Sequence, residues 1–205
     1  MKRIALDKAA GHLELAKEAV HQMAGATNFK TYEMAWQDFL SQASRFYSKL
    51  EQGSKGCKKS EPWFGGKKHE RQKDPLLSYI HHARNCEEHT IDYTASMTAD
   101  SIVGKMENDK PFNIRFQYMV DDKGRQHFRN IEAKDGDGND VPIEIVNPKL
   151  VLLQVHEKRI NKKFDPPEMH RSKPIVDTTP RGIARLGVSY LEDLLDEARK
   201  LPEHF

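Results

Sequence analysis

The apolar residues of this chain change their spacing at Pro111, and this change limits the folds that the chain can adopt. Before that point they recur every three or four residues, which is the period of an amphipathic helix. From Phe112 to Val120 apolar and polar residues alternate, which is the pattern of a half-buried strand. A helical pattern returns near the C-terminus. The sequence therefore predicts an α+β fold, a mainly helical bundle with a small antiparallel β-meander inserted before the last helix.

Three amphipathic helices are predicted in the first part of the chain. The first covers about Leu6–Ala24, and the second begins near Thr31, whose hydroxyl suits an N-cap. The third begins at Asp74 and Pro75, because aspartate is a favoured N-cap and proline at the first helical position loses no hydrogen bond. No strong helix breaker follows until Gly104, so we expect the third helix to continue to about residue 106.

The remaining elements follow from turn signals between the periodic segments. A hairpin turn at 121–124 joins the strand 112–120 to a partner at 125–133, and a second turn at 135–140 precedes one or two strands within 141–156. Coil is expected over 157–179, and Thr179 with Pro180 starts the last helix. The predicted organisation is a helical bundle (1–107), an antiparallel β insert (108–175) and a C-terminal helix (176–205) that packs back on the bundle. Two separate domains divided near residue 108 are the alternative.

Composition excludes several functional classes. The 33 basic and 31 acidic residues nearly balance, so the bulk charge does not indicate a nucleic-acid-binding protein. No apolar run approaches the roughly 18–20 residues that span a bilayer, and the charged N-terminus lacks the apolar segment of a secretory signal. Cys57 and Cys86 are too few for a disulfide framework, which favours free thiols in a reducing compartment. We therefore expect a cytoplasmic protein without a membrane partner.

The segment 53–73 combines basic residues with two aromatic ones. Seven Lys or Arg residues stand against two glutamates, and glycine is frequent, so we expect a loose loop. Cations interleaved with aromatic rings suit single-stranded nucleic acid, with phosphates on the cations and bases on the rings. A solvated loop with its aromatic pair in the core explains the pattern equally well. The predicted RNA-binding residues are Lys58, Lys59, Trp63, Lys67, Lys68 and Arg71.

The third predicted helix carries the segment with the most chemical content, Arg84-Asn85-Cys86-Glu87-Glu88-His89. On an ideal helix Asn85 and His89 are neighbours on one face together with His82, whereas Arg84 and Glu88 lie on a flank. Arg84 and Glu88 could therefore form a simple surface ion pair, and His89 could be an ordinary exposed histidine. Glu87 falls within the apolar stripe, where we expect a cation from another helix to pair with it.

The order of these residues resembles the motif of the HEPN family, which is an arginine, a polar residue and then a histidine. Arg84, Asn85 and His89 match the three positions, and the resemblance covers about residues 1–95 and possibly the last helix. It implies an HEPN-like helical bundle, and members of the family are often metal-independent endoribonucleases that act as homodimers. The β insert has no counterpart in the family.

The chemistry of RNA cleavage fits these residue types. His89 can move protons near neutral pH, Arg84 offers a permanently charged fork of donors for phosphoryl oxygens, and Asn85 can orient either group. Arg84 and His89 are ~140° apart on an ideal helix, so one chain does not present both to one phosphate. A two-fold homodimer brings Arg84 of one chain near His89 of the other. We therefore predict a composite catalytic site of Arg84, Asn85 and His89 that acts on RNA, supported by Glu87, Glu88 and His82.

Two other hypotheses come from the same residues. A non-catalytic module would keep the bundle and use its cleft or the β insert to bind RNA or a neutralising protein partner. The basic residues His127, Arg129, Lys158, Arg159, Lys162 and Lys163 of the insert suit either ligand. A nucleotide- or metal-binding protein could use His82 and His89, although Cys86 of the same spacing turns toward the apolar side. No glycine-rich nucleotide loop or zinc-type cysteine pair is present, so we expect no cofactor and no metal.

Overall fold

The computed structural model describes residues 1–98, 101–104, 111–120, 126–146 and 149–202. The fold class is α+β, as predicted, with five α-helices and several antiparallel strand pairs among these residues. The chain forms two compact units, of which the first joins Met1–Ser96 to Leu150–Phe205 and the second is Met97–Lys149. Residues 150–175, which the sequence suggested as part of the insert, therefore belong to the helical unit.

The helices of the first unit pack as a bundle. Helix α2 contacts α1, α4 and α5, while α1 also contacts α5 and α3 packs on α4 and α2. Large aromatic side chains on α2 form the centre of the core, where Trp36, Phe39 and Phe46 are fully buried. No described helix is long and apolar enough to cross a membrane. The helices are α1 (Arg3–Gly25), α2 (Phe29–Ser54), α3 (Ser60–Lys73), α4 (Pro75–His89) and α5 (Pro180–Arg199).

Small residues allow α1 to approach α2 closely. The buried face of α1 is rich in alanine, including Ala5 and Ala9, and at the far end of α2 a side chain on Gly53 would lie 2.3 Å from the Cβ atom of Ala5. The predicted N-cap of α2, Thr31, was wrong by three residues. Its N-cap is Asn28, whose side chain accepts a hydrogen bond of 2.9 Å from the backbone N–H of Thr31. Asparagine is as good a cap as threonine, and Asn28 comes earlier in the chain.

Helix α3 replaces the loop that the sequence predicted over 53–73. Ser60 at its start donates to the carbonyl of Ser54, and Phe64 is buried in the core. Gly65 and Gly66 lie within the helix, where their side-chain positions face open space. Glycine lowers helix propensity by about 1 kcal/mol per residue, and packing of the aromatic face outweighs this cost.

Helix α4 starts as predicted but ends earlier. The Asp74 side chain accepts a hydrogen bond of 3.1 Å from the N–H of Leu77 and caps the helix. The helix stops at His89 instead of continuing to residue 106. Thr90 adopts an extended backbone, and both its N–H and its hydroxyl donate to the carbonyl of Cys86. The chain then turns so that Thr94 becomes fully buried against Trp36.

The last helix also begins at its predicted residue. Thr179 accepts a hydrogen bond of 3.1 Å from the N–H of Gly182, and Pro180 stands at the first helical position. One face of this helix is apolar and lies in the core, where Ala184, Leu191, Leu195 and Ala198 are buried and Val188 is partly buried. This face packs on α1 and α2.

Short strands complete the helical unit. The predicted coil over 157–179 contains a hairpin of β7 with β8 and a smaller one of β9 with β10, while β1 pairs with β6. Strand β7 packs against α4. Glu157 on β7 is buried, and its carboxylate accepts a hydrogen bond from Asn85 of α4. The strands are β1 (Ala95–Met97), β2 (Ser101–Gly104), β3 (Phe112–Val120), β4 (Gln126–Asp135), β5 (Ile143–Val146), β6 (Leu150–Leu152), β7 (Val155–Glu157), β8 (Lys162–Phe164), β9 (Met169–His170) and β10 (Lys173–Pro174).

The described residues of the second unit form two antiparallel ladders. Strands β3 and β4 form the predicted hairpin, with a register shift between Arg115 and Gln117, and β2 pairs with β5. The hairpin turn predicted at 121–124 lies outside the described residues. The turn predicted at 135–140 is present, and the Asp135 side chain accepts backbone hydrogen bonds from Asp137 and Asn139.

The close approach of α1 and α2 gives a testable expectation. Gly53→Ala should lower the free energy of unfolding by about 1–3 kcal/mol, because the new methyl group overlaps Ala5. Gly11→Ala on α1 is the matched control, since its side-chain position is open. That change should raise the free energy of unfolding by roughly 0.5–1 kcal/mol through helix propensity. Urea denaturation of both variants measures the difference, and equal effects would contradict the packing described for Gly53.

Candidate functional site

Arg84 lies on the side of α4 that faces α2 and α3. Its guanidinium contacts the carboxylate of Glu88 at 2.5 Å and donates to the side-chain oxygen of Asn85 at 3.3 Å. The Arg84 Nε atom is buried without a hydrogen-bond partner among the described residues. The Arg84 guanidinium therefore pairs with Glu88 of the same helix. This is the surface ion pair that the sequence indicated as the alternative to a catalytic role.

Arg84 shares a narrow cleft with Arg71 and His81. The cleft has a volume of about 20 Å³, which is far below the size of a nucleotide pocket. Burial, together with the positive charge of the nearby Arg71, lowers the pKa of His81 to about 4, so that His81 is neutral near pH 7. Arg71 stacks on the ring of Tyr47 at 4.5 Å. This side of α4 thus offers two guanidinium groups but no room for a base or a ribose.

Asn85 faces the opposite neighbour, the β7–β8 hairpin. It is buried, and its side-chain N–H donates to the Oε2 atom of Glu157 at 3.3 Å. His82, one turn earlier on α4, hydrogen-bonds through Nδ1 to the same oxygen. Since an ionised carboxylate only accepts, His82 must donate from Nδ1. The His82 ring also stacks on Phe164 of β8, with 3.6 Å between the ring centres.

Glu157 is a buried carboxylate at the centre of this cluster. Its Oε1 atom accepts from Arg159 at 3.2 Å, so that three side chains satisfy the two oxygens. Burial by itself would raise the pKa of Glu157, but the hydrogen bonds from His82 and Asn85 and the charge of Arg159 outweigh it. The pKa of Glu157 consequently lies below its ordinary value. The ionised form of Glu157 is what holds the hairpin to α4.

His89 occupies the exposed C-terminal end of α4. It forms no hydrogen bond or ion pair within the part of the chain that the structure describes. By helix geometry it lies one turn beyond Asn85, on the side of the β7–β8 hairpin. Arg84 and His89 therefore face different neighbours, as the helical projection indicated. Asn85 and Arg84 touch, whereas His89 is not brought into contact with either of them.

Glu87 corrects one expectation from the sequence. Its carboxylate accepts from the Gln37 amide at 2.8 Å and from the Thr94 hydroxyl at 2.5 Å, and no cation of the described chain pairs with it. Thr94 in turn accepts from the indole N–H of Trp36 at 2.9 Å. Neutral donors suffice because two well-aligned hydrogen bonds satisfy a half-buried carboxylate without a second desolvated charge. Glu87 therefore anchors α4 to α2, which is a supporting role.

The predicted RNA-binding residues of the segment 53–73 divide into two groups. Trp63 and Lys67 are engaged within the protein, since both contact Glu197 of α5, and Lys67 also pairs with Glu70. Lys68 lies 3.7 Å from Glu51 in an exposed ion pair. Lys58 and Lys59 are exposed just before α3. The predicted RNA-binding residues thus lie on α3 and just before it. Two of them, Trp63 and Lys67, join α3 to α5.

A second basic cluster stands beside α4. The basic tip, which we define as Lys158, Arg159, Lys162 and Lys163, connects β7 to β8 and is exposed. Lys158 lies 3.4 Å from Asp92, in the segment that follows His89. Lys162 and Lys163 form no ion pair with the described residues. The exposed end of the motif helix and the basic tip are therefore neighbours on the surface.

The role of Glu157 was not predicted, and the residues of the basic tip, predicted as part of the β insert, belong to the helical unit. Both lie about seventy residues from the motif, in a segment expected to be coil. One signal was available, because Val155 and Glu157 share a face in a strand of period two, and Val155 is buried. A carboxylate next to a buried valine on the same strand face indicates a buried partner. Cys86 is buried on the core side against Thr90, apart from His82.

No family model, no curated protein and no solved structure matches this chain. The likeness of Arg84, Asn85 and His89 to the HEPN motif is therefore a likeness of three residues and their spacing. Beside these residues, the end of α4 and the basic tip are exposed and carry positive charge.

Replacing Glu157 tests the anchoring of the motif helix. Glu157→Gln should lower the free energy of unfolding by about 1–3 kcal/mol near pH 7, because glutamine cannot accept from His82, Asn85 and Arg159 together. The pKa of Glu157 in the folded protein lies below the ordinary value of 4.5. The ionised carboxylate therefore contributes its full stabilisation of the fold above pH 4.5. The difference between the wild type and the variant should shrink as the pH falls through the folded-state pKa.

Urea denaturation across this pH range measures the difference. Glu168→Gln is the matched control, since the Glu168 side chain is exposed and its loss should change the free energy of unfolding by less than about 0.5 kcal/mol. A Glu157→Gln variant as stable as this control would show that the carboxylate does not hold the hairpin.

Proposed function

We propose that this protein is an HEPN-like, metal-independent endoribonuclease that acts in the cytoplasm as a homodimer. The observation that carries the proposal is the accessibility of the motif end of α4, where His89 is exposed beside the basic tip. Asn85 fixes this end through its hydrogen bond to Glu157. An exposed histidine at a helix end, three residues before the Asp92 that pairs with Lys158, suits proton transfer on a bound phosphodiester.

The positions of Arg84 and His89 support the homodimer of this proposal. The two side chains face different neighbours of α4, so a single chain does not offer both to one phosphate. In the proposed dimer Arg84 of one chain and His89 of the other meet across a two-fold axis. Binding of a phosphate there requires Arg84 to exchange the Glu88 carboxylate for phosphoryl oxygens, which its fork of donors fits equally well.

The proposed reaction is an intramolecular displacement at phosphorus. The His89 imidazole takes the proton from the ribose 2′-hydroxyl as the 2′-oxygen bonds to phosphorus. The guanidinium of Arg84 stabilises the charge on the phosphorane oxygens. The bond from phosphorus to the 5′-oxygen then breaks, and the departing oxygen takes a proton from water. The products are a 2′,3′-cyclic phosphate and a 5′-hydroxyl end.

A non-catalytic RNA-binding module is the second candidate, and one contact favours it. The Arg84 guanidinium is already engaged by Glu88 and Asn85 within one chain. An arginine that keeps this ion pair would not reach a phosphate, and the chain would bind RNA or a neutralising protein without turnover. The two candidates share the bundle and differ only in whether Arg84 exchanges its partner.

Cleavage of RNA in the presence of EDTA distinguishes these candidates. The wild-type protein should release fragments with 2′,3′-cyclic phosphate ends. Arg84→Ala and His89→Ala should each lower the cleavage rate by about 10²–10⁴-fold, because each removes one chemical role. Arg185→Ala and His21→Ala are matched controls at exposed positions and should cleave like the wild type.

Mixing the two inactive variants tests the composite site. A mixed dimer of Arg84→Ala and His89→Ala chains contains one site with both native groups, so mixing should restore part of the activity. Cleavage that persists in both separate variants would refute the proposed function. RNA binding without any cleavage by the wild type would establish the second candidate.

A further inference from the structure

The β7–β8 hairpin presents four cations, of which Lys162 and Lys163 form no ion pair with the described residues. Of the four cations in the basic tip, Lys158 contacts Asp92 and Arg159 contacts Glu157. Glu157 also accepts from His82 and Asn85, so its charge is shared. The side chain of Arg159 is 79% exposed, and that of Lys158 is 63% exposed. Such a cluster on a well-anchored hairpin attracts a polyanion.

An exposed aromatic side chain directly follows the residue that pairs with Lys158 of this cluster. Tyr93 is 64% exposed and directly follows Asp92, the residue that contacts Lys158. On its other side Thr94 is completely buried and hydrogen-bonded to Trp36 and Glu87, which fixes the backbone at this point. An exposed ring on a fixed backbone is suited to stack on an unpaired base.

We propose that the basic tip and Tyr93 form the binding surface for a single-stranded RNA segment, with phosphates on the cations and a base on the ring. His89 is close to this surface in the chain, because it lies three residues before Asp92, the partner of Lys158. The inference rests on RNA as the ligand of the proposed function, but it does not require cleavage. It replaces the segment 53–73, whose Trp63 and Lys67 join α3 to α5, as the main RNA contact.

The charge of the surface argues against a second copy of the chain as its occupant. A two-fold contact through the basic tip would bring two sets of four cations together, and like charges at an interface oppose association. Single-stranded RNA supplies both the negative charge and the exposed bases that Tyr93 can contact. A duplex supplies only the charge, because its bases are already stacked.

Binding is measured with a fluorescein-labelled, 2′-O-methylated single-stranded RNA of about twelve nucleotides in EDTA. The methyl group blocks attack by the 2′-oxygen, so the dissociation constant is independent of catalysis. The triple variant Arg159→Gln, Lys162→Gln, Lys163→Gln should raise the dissociation constant at least tenfold. It should also reduce the slope of log K against log salt by about 2, since each phosphate contact on a single strand contributes about 0.7.

The matched control removes the same number of charges from the other basic segment. Lys58→Gln, Lys59→Gln, Lys68→Gln alters the net charge equally and should raise the dissociation constant less than threefold. Tyr93→Ala should raise it about 5-fold or more, whereas Tyr93→Phe should not change it. Thermal denaturation of each variant establishes that it is folded.

The outcomes are distinguishable from those of the proposed function. Equal weakening by the two triple variants, or none by the hairpin variant, would overturn the inference. Equal competition by double-stranded RNA, or binding to anionic lipid vesicles in place of RNA, would overturn it as well. A wild-type protein that binds the methylated strand through this surface but never cleaves unmodified RNA supports the inference and refutes the proposed endoribonuclease.

Discussion

The buried carboxylate of Glu157 holds together the parts of the helical unit on which any function of α4 depends. It accepts hydrogen bonds from His82 and Asn85 on α4 and from Arg159 on the hairpin. A charge in this position is tolerated only because every oxygen is satisfied, and an unsatisfied one would cost several kcal/mol. The contact therefore selects one position of the β7–β8 hairpin against α4. The end of the motif helix and the basic tip keep a fixed relation as a result.

The same contact divides the motif between two sides of the helix. Asn85 is committed to the hairpin, while Arg84 lies in the narrow cleft with α2 and α3. His89 remains accessible because α4 ends there, where Thr90 turns the chain away. The proposed catalysis thus depends on an encounter between two chains, whereas the proposed RNA surface is complete within one. The proposed cleavage requires the Arg84–Glu88 ion pair to open, whereas the proposed RNA surface on the hairpin does not involve that pair.

Patterns that depend on neighbouring residues were predicted well. Asp74 and Thr179 cap their helices as predicted, and the apolar face of the amphipathic helix α2 is buried from Trp36 to Leu50, because capping and amphipathic burial act within a few turns. Failures occurred where a distant partner outweighed local propensity. Helix α3 forms despite its paired glycines because Phe64 packs into the core. Glu87 binds Gln37 and Thr94 instead of a cation, which no spacing within α4 could indicate.

The sequence by itself determined the α+β class, the starts of α4 and α5 and the order of Arg84, Asn85 and His89 along α4. These are consequences of periodicity and capping, which are encoded within about one or two turns of chain. Only the tertiary structure decided which side of α4 each residue faces and what lies opposite. Glu157 meets Asn85 across 72 residues of sequence because a buried charge requires donors and α4 presents two on one face. The basic tip beside His89 is the outcome of that single pairing.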